Sequence, residues 1–123
     1  MGKRPARFVH KPWGHEEIFA ETDHYAGKLL VVKAGESLSL QYHEQKEETL
    51  RVLEGRIVFE IGMDPAALES VELGPGDVFH ISPRLIHRME AVTDCTLIEV
   101  STADLDDVVR LSDRYGREGT TDP

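Results

Sequence analysis

From residue 37 to residue 43 the chain alternates strictly, Ser-Leu-Ser-Leu-Gln-Tyr-His. A two-residue period is the pattern of a β-strand, whose successive side chains point to opposite faces. Leu38, Leu40 and Tyr42 then share one face, and Ser39, Gln41 and His43 share the other. A strand whose polar face carries ligand-type residues belongs in a barrel with a polar, ligand-holding interior. Short apolar or alternating runs recur along the rest of the chain, separated by turns such as Ala34-Gly35-Glu36 and Gly74-Pro75-Gly76-Asp77. That spacing predicts an all-β jelly-roll or double-sheet barrel. Residues 51–53 and 56–61 are apolar on both faces. The outside of the barrel is therefore expected to be covered by a second sheet or by another copy of the chain, as a homodimer.

At 123 residues there is room for one domain, and 40% hydrophobic with 30% charged residues describes a soluble globular chain. A net charge of −9 without any Lys/Arg run argues against a nucleic-acid partner. A phosphorylated substrate would depend on local cations. With no apolar run of membrane-spanning length and no leader-like segment, a cytoplasmic location without a membrane partner is expected. Cys95 lies in an apolar run and reads as a buried, reduced thiol. Residues 1–9 read as a flexible tail, 10–117 as a single domain and 118–123 as a C-terminal tail. Within 102–115, Leu105, Val108, Val109 and Ser112 recur at helical spacing, with Thr102 or Asp104 as a cap and Gly116 as a stop. The pattern predicts a short C-terminal α-helix.

The chemistry gathers around the alternating strand. Glu48 follows His43 by five residues, at the start of a second apolar run, and His87 comes after the 74–77 turn. Two imidazoles, a carboxylate and an amide oxygen suit a divalent cation such as Zn, Mn, Co, Ni or Fe where no thiolate is offered. Gln41, His43, Glu48 and His87 are thus the candidate metal ligands. A single histidine is more often structural, and His10, His15, His24 and His80 are read that way. Trp13 reads as a core plug. Glu44, Lys46 and Glu47 occupy the connection beside the candidate site, where charge is commonly solvated.

Gly35, Gln41, His43, Glu48 and Gly55, at their spacing, resemble the first cupin motif, with Gln41 in place of its first His. Gly76, Ser82, Arg84 and His87 are similar to the second, with Ser82 for Pro, Arg84 for Gly and Ala91 for the closing Asn. Together with Lys11-Pro-Trp-Gly14, Leu97-Ile-Glu-Val100, Asp106-Asp-Val-Val-Arg110 and Asp113-Arg-Tyr-Gly-Arg117, these segments resemble the cupin domain of type II mannose-6-phosphate isomerases, over about residues 10–117. In many relatives that domain is the C-terminal part of a longer chain with a nucleotidyltransferase domain. The resemblance implies a cupin-type double-stranded β-helix and aldose–ketose isomerisation of a phosphorylated sugar through an enediol. It places Lys46 where the isomerases carry an Arg that assists catalysis, and Glu44 and Gln45 where they carry two further His. Glu44 or Glu47 is then the expected base, with His80 a third candidate, and Arg84, Arg88 and Lys46 are the expected phosphate contacts. Two other readings stand beside it: a non-haem Fe(II) dioxygenase built on the two His and Glu48, and a non-catalytic cupin that binds metal and sugar.

Overall fold

A computed structural model describes residues 2–118. The chain order is β1 (Arg7–Lys11), β2 (Gly14–Glu21), β3 (Ala26–Val32), β4 (Leu40–Tyr42), β5 (Glu48–Glu54), β6 (Ile57–Gly62), β7 (Glu69–Leu73), β8 (Val78–Ile81), β9 (Ile86–Ala91), β10 (Cys95–Ser101) and β11 (Val109–Ser112). These strands form two antiparallel sheets, of order β1-β2-β3-β10-β5-β8 and β11-β4-β9-β6-β7. Strand β1 begins inside the segment read as an N-terminal tail. Of the C-terminal tail, residues 119–123 lie outside the described residues, as does Met1. No helix among the described residues is long and apolar enough to cross a membrane.

Alternation determines what each sheet buries. The inward row of β3 is Ala26, Lys28, Leu30 and Val32, that of β5 is Glu48, Leu50 and Val52, and that of β10 is Cys95, Leu97, Glu99 and Ser101. Each strand thus contributes apolar residues to the core and a charged residue to the same wall. Leu30, Val32, Leu50, Val52, Ile57, Phe59, Met89 and Leu97 fill the space between the sheets together with Trp13. Cys95 is a buried free thiol, and burial pushes it up from its ordinary value. The β5–β6 hairpin turns at Gly55, whose φ is +85° and whose missing side chain would sit 2.2 Å from the Asp94 carbonyl oxygen. Only glycine meets both conditions.

The expected C-terminal helix is absent. Residues 102–108 run through turns, and Val109–Ser112 pairs with β4 as the edge strand β11. The polar residues that resembled caps are engaged otherwise. Thr102 Oγ1 donates to Asp104 at 2.9 Å, and Asp107 accepts hydrogen bonds from a distant loop. Such side-chain bonds compete with helix formation. Leu105 and Val108 recur at helical spacing because turns bring both to the barrel cavity.

Candidate metal centre

His43 follows β4, His87 is the second residue of β9, and Glu48 opens β5. Strands β4 and β9 are neighbours in the five-stranded sheet, with Gln41 opposite His87. The two histidines therefore come from one wall and the glutamate from the other. His43 Nε2 lies 3.3 Å and His87 Nε2 3.6 Å from Glu48 Oε1, and one ligand atom from each of the three falls within 4.8 Å of the others. All three residues are buried. Gln41 lines the same cavity.

The backbone sets the imidazole tautomers. His43 Nδ1 donates to the Asp107 carbonyl oxygen at 2.5 Å, and His87 Nδ1 donates to the Leu85 carbonyl oxygen at 2.9 Å. Because a carbonyl only accepts, each Nδ1 carries a proton, and each Nε2 is turned toward Glu48. Burial pushes His87 down to about 4, so it is neutral at pH 7. Glu48 is held well below the usual carboxylate range: burial opposes ionisation, but His43, Lys46, Glu99 and His87 outweigh it. Two imidazoles with their Nδ1 atoms held by carbonyls and one carboxylate oxygen form a donor set that fits a divalent cation.

Lys46 is the member of its connection that turns inward. Its Nζ lies 3.1 Å from Glu48 Oε2 and 3.3 Å from Glu99 Oε2. The contact to Glu48 is an ion pair rather than a well-directed hydrogen bond. Burial would strip the Lys46 proton, but the two carboxylates raise its pKa instead. Glu99 is pushed up to about 8, by burial first and then by the Glu48 carboxylate. Sequence reasoning missed Glu99 as a site residue. The available signal was parity: an acid in the inward row Cys95, Leu97, Glu99 of an otherwise apolar strand.

The same parity places Glu16 and Lys28 inside. Lys28 Nζ is 3.2 Å from Glu16, Lys11 Nζ is 3.9 Å from it, and Lys28 stands opposite Glu99 in the β3–β10 register. Basic and acidic residues therefore alternate along the inner wall from Lys11 through Glu16, Lys28, Glu99 and Lys46 to Glu48.

Glu44, Glu47, Arg84 and Arg88 are not brought into this cavity. Glu47 is exposed and pairs with His80 at 2.9 Å, while Glu44 and Arg84 face each other at 3.9 Å in solvent. Arg88 alternates away from His87 and pairs with Glu60 at 2.8 Å. Arg84 has a backbone role. With φ at +72° it occupies the third position of a turn from Ser82 to Leu85, and its N–H donates to the His43 carbonyl oxygen at 2.7 Å. Glycine is the residue that such a turn favours.

The cupin domain family matches residues 28–101. The mannose-1-phosphate guanylyltransferase of Escherichia coli K12 is 35% identical over 119 residues, covering 93% of this chain but 24% of the relative. The chain thus spans about a quarter of that protein's length. Among solved structures, KdgF from a Halomonas species superposes with a TM-score of 0.71 at 20% identity, over 81% of this chain and 88% of that one. Oxalate decarboxylase of Bacillus subtilis, a protein with Mn(II) centres, superposes with a TM-score of 0.72 at 18% identity, over 85% of this chain and 29% of that one. At such identities the likeness concerns the fold, and the fold agrees with the matched motif region: the chain belongs to the cupin family.

Proposed function

We propose that the chain is a metal-dependent sugar-phosphate isomerase of the mannose-6-phosphate isomerase type, interconverting an aldose and a ketose through an enediol. The observation that carries this reading is the convergence of His43 Nε2, His87 Nε2 and Glu48 Oε1 in a buried cavity whose remaining lining mixes apolar side chains with Lys28, Lys46, Glu16 and Glu99. Similarity to a protein named for mannose 1-phosphate supports a mannose-phosphate setting. Gln41, His43, Glu48 and His87 are the proposed ligands. A bound divalent ion supplies a Lewis acid that favours negative charge on the sugar oxygens.

The chain's own part is to orient the sugar and move one proton between C2 and C1. Glu44, Glu47 and His80 stand outside the cavity, whereas Glu99 lines it beside Lys46. A carboxyl pushed up to about 8 is matched to taking and returning a proton near neutral pH. Glu99 is therefore the proposed base, and Lys46, which touches both Glu99 and Glu48, is proposed to hold the two carboxylates in place. The reading includes a homodimer formed through the outer face of the six-stranded sheet.

The test couples metal analysis of the purified chain to an isomerase assay on mannose 6-phosphate, with wild type and His43→Ala. About one metal per chain, with turnover that disappears in the variant, is the expected result. Metal without turnover would move the chain to the non-catalytic or oxygenase readings. No metal after addition of Zn²⁺, Mn²⁺ or Co²⁺ would remove the centre itself.

A further inference from the structure

We propose that Leu105 is the gate of the cavity and sets the size of molecule that reaches the metal centre, the turn over residues 103–106 swinging outward to admit what the closed barrel has no room for. The proposal takes the size of that molecule from the sugar-phosphate reading, whereas the motion itself requires no turnover.

The first ground is room. The cavity at the metal centre measures about 60 Å³. A cavity of about 150 Å³ holds benzene, and pockets for small ligands start at about 300 Å³. A phosphorylated hexose is larger than benzene, so it reaches His43, Glu48 and His87 only if part of the wall moves.

The second ground is which part is able to move. Among the described residues that line the cavity, Leu38, Gln41, Leu105 and Arg117 are half-buried and the rest are buried, so these four form its rim. Three of them are tied down. The Leu38 N–H donates to the Met89 carbonyl oxygen at 2.9 Å, Gln41 is paired on both sides by β11 and β9, and Arg117 is held by the Asp113 carboxylate at 2.9 and 3.0 Å. Leu105 differs. Its N–H donates to the Ala103 carbonyl oxygen two residues back, at 3.0 Å. The neighbouring bonds are equally local, from the Asp107 N–H to Asp104 and from the Val108 N–H to Asp106.

The anchors lie at the two ends of this turn. Thr102 exchanges bonds with Glu47, its N–H donating to the Glu47 carbonyl oxygen at 3.0 Å and its Oγ1 accepting the Glu47 N–H at 3.2 Å. Asp107 holds the N–H groups of residues 44–46. Residues 103–106 thus pivot between two fixed points, and His43 keeps its carbonyl acceptor on Asp107 while Leu105 moves. Segments held by local bonds and little buried apolar surface are those that open below the cost of global unfolding.

Trp13 reports on the gate, because it is the chain's one tryptophan, lines the same cavity and is 2% exposed. Quenching of its fluorescence by acrylamide, in the intact metal-free chain, measures how often a small molecule gets in. In wild type the quenching is expected to be measurable and to stay level with denaturant below the unfolding transition, as a local opening does. Leu105→Ala is expected to raise the quenching constant about fivefold, the factor to which the transfer energy of a half-buried leucine corresponds. Leu105→Met, of nearly equal volume, should match wild type, and so should Leu111→Ala, which shortens a leucine outside the cavity. Quenching that climbs with denaturant from the start would mean that only global unfolding exposes Trp13, and would overturn the gate. So would a Leu105→Ala chain that is quenched no faster than wild type, or a Leu111→Ala chain that is quenched as fast as Leu105→Ala. If quenching follows the expected pattern and mannose 6-phosphate is still not isomerised, the gate stands and the isomerase reading falls; turnover with quenching unchanged in Leu105→Ala has the opposite meaning.

Discussion

Glu99 and His87 are buried titratable groups on facing walls, and their opposite shifts give the metal-free chain a distinctive pH dependence. Glu99 is pushed up to about 8, by burial first, whereas its ordinary value is 4.5. Between those values the folded state keeps a proton that the unfolded chain has released. Its contribution is full below pH 4.5 and is lost as pH rises toward 8. His87 is lowered from 6.5 to about 4, again by burial first. Here the unfolded chain takes the proton that the folded state refuses, so its contribution is full above pH 6.5 and is lost as pH falls toward 4. The two oppose each other from 4.5 to 6.5, and between pH 6.5 and 8 Glu99 acts without His87. Thermal unfolding in the presence of a chelator should therefore show wild-type stability declining across that upper window, with the decline removed in Glu99→Gln. A variant profile parallel to wild type would mean that Glu99 does not hold its proton in the fold. Both residues obey strand parity. Yet only the histidine was legible as a candidate site residue, because two His and a Glu at set spacing announce ligands, while an acid in an apolar strand draws notice only once its inward parity is counted.

The connection between β4 and β5 carries the site, and a single aspartate shapes it. The Asp107 carboxylate accepts the backbone N–H groups of Glu44, Gln45 and Lys46 at 3.0, 2.7 and 2.9 Å, while its own carbonyl takes the His43 Nδ1 proton. Burial works against ionisation of Asp107, but these three N–H groups hold its carboxyl below its ordinary value. The connection is thus bent so that Lys46 turns inward and Glu44 and Glu47 face solvent. None of this is readable along the sequence, because Asp107 lies more than sixty residues from the loop that it organises. The same distant bonds explain why a helix was expected where turns stand: local spacing registers Leu105 and Val108 but not what Asp107 holds. Asp107→Ala should cost about 1–3 kcal/mol in denaturant unfolding, since three N–H groups lose their acceptor. It should also weaken metal binding, because the 44–46 connection between His43 and Glu48 loses the carboxylate that shapes it, even though the Asp107 carbonyl that takes the His43 Nδ1 proton is retained. An unchanged metal affinity, measured by titration of the chelator-treated chain, would show that the two ligands are positioned without the loop.

For the whole molecule, the unresolved balance lies outside the barrel. On the outer face of the six-stranded sheet Phe19 lies over Gly27, which pairs with Val100, and the next row runs Leu29, Ile98, Arg51 and Val78. Phe19 is 48% and Val100 52% exposed, so with Leu29 and Ile98 the apolar patch runs across β2, β3 and β10 and is bounded by Arg51 on β5, beyond which Val78 is 59% exposed. The sequence reading set two-sided apolar character at residues 51–53 and 56–61, on β5 and β6, whereas the exposed apolar residues gather on β2, β3 and β10, and periodicity alone does not say whether a second sheet or a second chain covers them. The second sheet covers only the inner face. Contiguous exposed apolar surface of this kind marks an interaction site in a folded chain. A second copy presents the same apolar rows, and self-complementary patches meet across a two-fold axis. Sedimentation should accordingly give a particle of twice the 13.8 kDa chain mass. Val100→Glu would place like charges opposite each other across that axis in an apolar setting, and should shift the dimer toward monomer by at least about tenfold in dissociation constant. Val100 is half exposed within one chain, so the folded monomer should persist, with an unchanged β-sheet circular dichroism spectrum. A wild-type chain that sediments as a monomer at high concentration, or a variant that dimerises as well as wild type, would assign the outer face to something other than a second copy.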